Sequence, residues 1–193
     1  EIMGRPREFD EAEVLDRSLA LFWTKGFEAT SIQDLVEATG VARASLYGAF
    51  GDKAGLFGQA LRHYETLTQD YMAEVARAPT GTQSIQALLS GWVGLTCRRA
   101  GPRGCFLILS GSAGEVPLAR AALSTALQQI DKLVEAQIRR GQEAGDIADQ
   151  LDPPAVAKFL VVQLLGLATA ARSGWGRERL AQAIDETMAH LRP

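Results

Sequence analysis

Apolar side chains recur along this chain at spacings of three and four, and nowhere do they alternate with polar ones for long. The pattern predicts helices throughout and no sheet. The first helix starts at Asp10, an N-cap residue with Glu13 placed as its capping-box partner, and Phe9 and Val14 are spaced to staple its entry. Val14, Leu15, Leu19 and Phe22 form its stripe, and Gly26 ends it. A second helix follows the cap hydroxyls of Thr30 and Ser31, with Asp34 set for the reciprocal bond. It buries Ile32, Leu35 and Val36 and stops at Gly40, which tolerates left-handed backbone. A short third helix occupies 42–49. Val41, Leu46 and Phe50 share one side of it, while Arg43, Ala44, Ser45, Tyr47 and Gly48 point elsewhere. Asp52 caps a fourth helix with the stripe Leu56, Phe57, Ala60, Leu61, Tyr64, Leu67, Tyr71 and Val75, broken at Ala78-Pro79-Thr80-Gly81. Further helices are expected at about 84–100, 105–112, 117–145, 153–173 and 177–191, separated by Gly101-Pro102, Glu115-Val116-Pro117 and Asp152-Pro153-Pro154. The fold class is therefore all-α. A three-helix helix-turn-helix domain spans 1–50, a connecting helix 51–78, and a C-terminal helical bundle 79–193.

Composition narrows the function classes. With 193 residues, 47% of them hydrophobic, and a net charge of −3, the chain has too much apolar content and too little net charge to be disordered. Its most apolar run, Phe159 to Ala171, falls short of the ~30 Å of a hydrocarbon core, so no membrane is expected as a partner. The absence of a charged-then-apolar leader, and two cysteines without metal-type spacing, point to a reducing, cytoplasmic setting with no metal and no cofactor. Enzyme motifs are incomplete. His63 and His190 have no carboxylate at motif spacing, the stretch from Gly48 to Lys53 is too short for a P-loop, and Ser110-Gly111-Ser112-Ala113-Gly114 has no sheet to make a nucleophile elbow.

The second and third helices have the proportions of a helix-turn-helix, whose second helix enters the DNA major groove. The free side of the third helix carries suitable chemistry. Arg43 can read guanine O6 and N7 bidentately, Ser45 and Tyr47 can bond phosphates, and Ala44 and Gly48 permit close approach. The run Phe-Trp-Thr-Lys-Gly-Phe-Glu-Ala-Thr-Ser-Ile-Gln-Asp-Leu-Val-Glu-Ala-Thr-Gly-Val-Ala-Arg-Ala-Ser-Leu-Tyr-Gly-Ala-Phe-Gly-Asp-Lys, residues 22–53, resembles the N-terminal signature of the TetR family of transcriptional regulators; the likeness extends over roughly 9–62. The resemblance implies an all-helical homodimer that binds double-stranded operator DNA, with a divergent C-terminal domain for dimerisation and for a small-molecule effector. By position it puts Arg43, Ala44, Ser45, Tyr47 and Gly48 on the recognition helix, Thr30 and Ser31 at backbone-contacting positions, and Lys53 on a phosphate. Gly48 departs from the bulkier or basic residue that frequently follows the tyrosine in the family.

Ahead of the first helix, Arg5 and Arg7 sit in an arm suited to the minor groove, or to solvent. In the C-terminal half, the helix around 153–173 is apolar almost all round, and Gly166 and Ala170 lie one turn apart. Phe159, Val162, Gly166 and Ala170, with Leu180, Ile184 and Met188 on the final helix, are therefore the expected four-helix dimer interface; burial within one chain is the alternative. Trp92, Leu95, Phe106, Leu109, Leu127 and Ile130 are candidates for the wall of a ligand pocket, or plain core. Few charges accompany them, Glu115 and Arg120 among these, which favours an apolar or aromatic effector. Cys97 and Cys105 flank Arg98, Arg99 and Arg103, cations that lower a thiol pKa, so a redox or electrophile sensor acting through Cys105 stands beside ordinary buried cysteine. The expected function is a ligand-responsive repressor of the TetR type. Such a sensor, or a DNA-binding protein that answers to no ligand, are the alternatives. The charge is unevenly spread: residues 1–77 hold 8 Lys and Arg against 13 Asp and Glu, yet Arg43 is the one charged residue between Glu37 and Asp52. With Arg5, Arg7, Arg43 and Lys53 as cationic contacts, a dimer makes about eight, which limits the salt slope to about −7.

Overall fold

The computed structural model describes residues 9–98, 101–114 and 116–193. Among them the helices are α1 Glu11–Lys25, α2 Ile32–Thr39, α3 Arg43–Phe50, α4 Lys53–Arg77, α5 Gly81–Thr96, α6 Phe106–Ala113, α7 Pro117–Ala144, α8 Pro153–Arg172 and α9 Arg177–Leu191. No strand occurs among the described residues. The chain divides into two compact units between Leu67 and Thr68, inside α4.

The first unit closes on Val14, Leu19, Phe22, Trp23, Leu35, Leu46, Phe57 and Leu61, all buried. Its aromatic rings meet edge to face, Phe22 on Phe57 at 5.1 Å and Trp23 on Tyr64 at 5.3 Å, an arrangement that favours the ring quadrupoles. At the head of α1 the Asp10 carboxylate accepts from the amides of Ala12 and Glu13. The expected capping box is only half made, because Glu13 pairs with Arg17 one turn on. Leu67, expected in the buried stripe of α4, is half exposed, and the boundary between the units falls at that residue.

In the second unit α7 packs against α5, α6 and α8, and α5 also meets α8 and α9. The stretch expected to break the chain near Gly81 instead caps α5: Thr80 Oγ1 accepts from the Gln83 amide at 3.2 Å, so the helix begins three residues earlier than expected. Glycine is required at its first position, since a Cβ on Gly81 would lie 2.3 Å from the Gln137 carbonyl oxygen of α7. Thr82 fastens the same end, its hydroxyl donating to the Asp146 carbonyl at 2.7 Å. On α8, Leu160, Leu164, Leu167, Ala168 and Ala171 face inward. This helix is longer than the apolar run in its sequence, 20 residues with a window of mean hydropathy 1.6, so length and composition alone would allow it to cross a membrane, contrary to expectation. Its inner face is instead committed to the bundle.

Candidate nucleic-acid interface

The turn that sets α3 is built from both sides. Ser31 caps α2 with a complete capping box: its hydroxyl accepts from the Asp34 amide at 3.1 Å, and the Asp34 carboxylate accepts from the Ser31 amide at 2.8 Å. The Lys25 ammonium, 2.8 Å from Asp34, bonds the same carboxylate; together with the Ser31 bonds it lowers the Asp34 pKa to about 2. At the other end Gly40 takes φ 72°, left-handed, and returns its amide to the Val36 carbonyl. The chain thereby turns within three residues from α2 into α3. Val41 and Leu46 are buried and Phe50 half-buried, which fixes the rotation of α3 about its axis.

That rotation leaves Arg43, Ala44, Ser45 and Gly48 exposed and Tyr47 half-buried, so the five residues expected on a reading face share one surface of α3. The Arg43 guanidinium lies 5.1 Å from the centre of the Tyr47 ring and 3.4 Å from its hydroxyl, an i,i+4 contact that prepositions the fork. Among the described residues, nothing beyond the backbone of α3 itself and the neighbours of Gly48 lies within 4 Å of where a Cβ on Gly48 would stand. The bare backbone at Gly48 therefore serves no packing need inside the protein.

Two expected phosphate contacts come out differently. The Thr30 side chain is fully buried, with its hydroxyl donating to the Gly26 carbonyl at 2.6 Å, so it cannot reach DNA; it closes the loop between α1 and α2. Ser31, the next residue, is exposed and keeps a hydroxyl at the surface. Lys53 is half-buried, with its ammonium donating to the carbonyls of Phe27 at 2.9 Å and Thr30 at 3.1 Å and lying 4.3 Å from the centre of the Phe27 ring. It ties the start of α4 to the same loop and has one donor left for an anion. Arg5 and Arg7 lie outside the described residues, as do Arg99 and Glu115.

In the second unit, Phe159 and Val162 are 57% and 65% exposed, large apolar side chains left in water on the outer face of α8 with Gly166 exposed one turn further and Ala170 half-buried. The stripe on α9 departs from the expected interface. Leu180, Ile184 and Met188 are buried within the single chain, because the face they share supplies the bundle core. Of the expected ligand wall, Trp92, Phe106 and Ile130 are buried and Leu95, Leu109 and Leu127 half-buried. The Trp92 indole is committed, donating to the Leu164 carbonyl at 2.8 Å. Cys97 and Cys105 are both free and buried. A feature missed in the sequence lies beside them: Cys97, Arg98, Gly101, Arg103 and Arg177 line an open basin of about 440 Å³. Arg177 is far away in sequence and gave no signal of it.

Known proteins supply an independent comparison. Residues 14–60 match the family described as bacterial regulatory proteins, tetR family, and residues 81–191 match a tetracyclin repressor-like C-terminal domain. The HTH-type transcriptional repressor ComR of Escherichia coli (strain K12) is 31% identical over 96% of this chain and 90% of its own length. The HTH-type transcriptional repressor BdcR of the same organism is 28% identical over 93% of the chain and 87% of its own length. Among solved structures, a cysteine mutant of the TetR family transcriptional regulator CifR, complexed with 26-base-pair double-strand operator DNA, superposes with TM-score 0.85 at 34% identity, covering 96% of this chain and 98% of its own.

Proposed function

The chain belongs to the TetR family of bacterial regulatory proteins, DNA-binding transcriptional regulators rather than enzymes, and from that premise we propose that it is a homodimeric repressor of a pseudo-palindromic operator. The observation that carries the reading is the exposed face of α3, where a forked cation, two hydroxyls and bare backbone share a surface held by Val41 and Leu46. Arg43 reads a guanine edge, Ser31, Ser45, Tyr47 and the last donor of Lys53 hold phosphates, and Ala44 and Gly48 let α3 sit deep in the groove. Phe159, Val162, Gly166 and Ala170 on α8 join two copies. The exposure of Phe159 and Val162 supports this, since burying the part of each still in water contributes roughly 1–2 kcal/mol. Two α3 helices then meet successive major grooves about 34–36 Å apart, or a multiple of that.

A small apolar or aromatic effector between α5, α6 and α7 releases the operator by favouring a conformation whose α3 spacing does not fit. Differential affinity is required, because a ligand that binds both conformations equally shifts nothing. The apolar side chains of Trp92, Leu95, Phe106, Leu109, Leu127 and Ile130 support this class of effector. The test is repression: a promoter carrying a DNA site selected by the purified protein should fall silent when the protein is present and recover with a compound found by screening for release. A protein that binds its site but leaves transcription unaltered would refute the repressor, and repression that no compound relieves would refute the effector.

A further inference from the structure

We propose that the basin between the end of α5 and the start of α9 is a second ligand site, which takes the oxyanion end, carboxylate or phosphate, of a small organic molecule. The basin, of about 440 Å³, is of the size that holds small ligands, and three of its five lining residues are arginines, Arg98, Arg103 and Arg177. Among the described residues none of the three pairs with a carboxylate. The sequence around them is predominantly basic. Cys97 to Cys105 contains Arg98, Arg99 and Arg103 and no acid, and Arg172 to Arg179 contains Arg172, Arg177 and Arg179 against Glu178. Bringing three guanidinium groups to one basin costs self-repulsion, which a bound anion offsets.

A structural purpose accounts for only part of the cluster. Arg177 donates to the Cys97 carbonyl at 3.3 and 3.4 Å and to the Gly94 carbonyl at 3.5 Å, which caps the end of α5. Arg103 donates to the Trp175 carbonyl at 3.2 Å. Each guanidinium has five N–H donors, so both keep others, and the exposed Arg98 makes no hydrogen bond among the described residues. Moreover α9 opens at Gly176 with no side chain on its first amides, which adds the partial positive charge of a helix start. The Arg179 guanidinium lies 3.6 Å from the centre of the Trp175 ring, which holds a further cation on the same helix. Forked donors around an open volume suit a planar carboxylate or a phosphate.

The site lies within the second unit and does not rest on the operator reading, so the test is direct binding. Full-length protein is titrated calorimetrically with citrate, benzoate and inorganic phosphate at constant ionic strength, with chloride and neutral benzamide as controls. Saturable binding of at least one oxyanion at one per chain is expected, and citrate and benzoate against phosphate decide which group is preferred. Arg98→Gln should weaken it roughly tenfold, and Arg98→Gln with Arg103→Gln should abolish it. Arg139→Gln, which removes an arginine of α7 outside the basin, should leave it unchanged. Thermal melts establish that each variant is folded, and Arg98→Gln, which loses no bond among the described residues, keeps the test valid if the double variant unfolds. No saturable binding by any of the three oxyanions, or equal affinity in Arg98→Gln, overturns the proposal. So does an Arg98→Gln variant that loses non-operator DNA binding while its oxyanion affinity is untouched.

Discussion

Gly48→Ala separates the folding of α3 from its use. Glycine is a poor helix residue, about 1 kcal/mol worse than alanine in a helix interior. Gly48 is near the end of an eight-residue helix, so about half that is expected here. Because nothing lies within 4 Å of the added Cβ, no clash subtracts from the gain, and the variant should be more stable by roughly 0.5 kcal/mol. DNA binding should move the other way. A methyl group forced into a close-packed interface costs at least about 1 kcal/mol, hence about 2 kcal/mol for the two half-sites of a dimer, or roughly 30-fold in Kd. Urea denaturation followed by circular dichroism gives the first quantity, and fluorescence anisotropy with labelled operator at fixed salt gives the second. A variant that is stabilised and binds operator as tightly as the parent would refute close approach at Gly48. One that is destabilised would refute the open space around it.

Three further outcomes follow from other parts of the structure. Lys53→Met deserts two carbonyl acceptors and should destabilise the first unit by about 2 kcal/mol; if the remaining donor meets phosphate, it should also flatten the salt slope of operator binding by about 2 for a dimer, and an unchanged slope would make Lys53 purely structural. Asp34 titrates at about 2 rather than 3.8, so its bonds to Lys25 and Ser31 stabilise the fold fully above pH 3.8 and are lost as pH falls through about 2; the stability gap between parent and Asp34→Asn should close across that interval, and a constant gap would contradict the assignment. Phe159→Glu puts a charge on the outer face of α8 without touching the core, and sedimentation velocity should show monomers that remain folded; an intact dimer would remove α8 from the interface.

What the sequence made legible was local. The capping box at Ser31 and Asp34, the left-handed turn at Gly40 and the anchoring of α3 by Val41 and Leu46 depend on residues within a few positions of one another, and all stand where the spacing put them. The half-made box at Asp10 shows the limit, because an i,i+4 arginine outcompeted the backbone for Glu13. Periodicity identifies an apolar face but not what covers it. Both α8 and α9 offer apolar faces in sequence, yet Leu180, Ile184 and Met188 are covered by their own chain and Phe159 and Val162 are not. Thr30 obeys the same rule: a hydroxyl before a helix suits a phosphate or a nearby carbonyl equally well, and here burial selects the Gly26 carbonyl. The arginine basin joins residues more than seventy positions apart, a closeness that only the packing of α5 against α9 creates.

In the proposed function, Arg43 on α3 reads a base in the major groove. The most direct measurement is selection of bound DNA from a random pool by the parent protein and by Arg43→Ala, in parallel and at one salt concentration. The parent should enrich a pseudo-palindrome, and the variant should enrich the same site with one guanine per half-site relaxed, at a cost of about 1–3 kcal/mol for each contact. Identical preferences from the two proteins, at every position of the site, would contradict it.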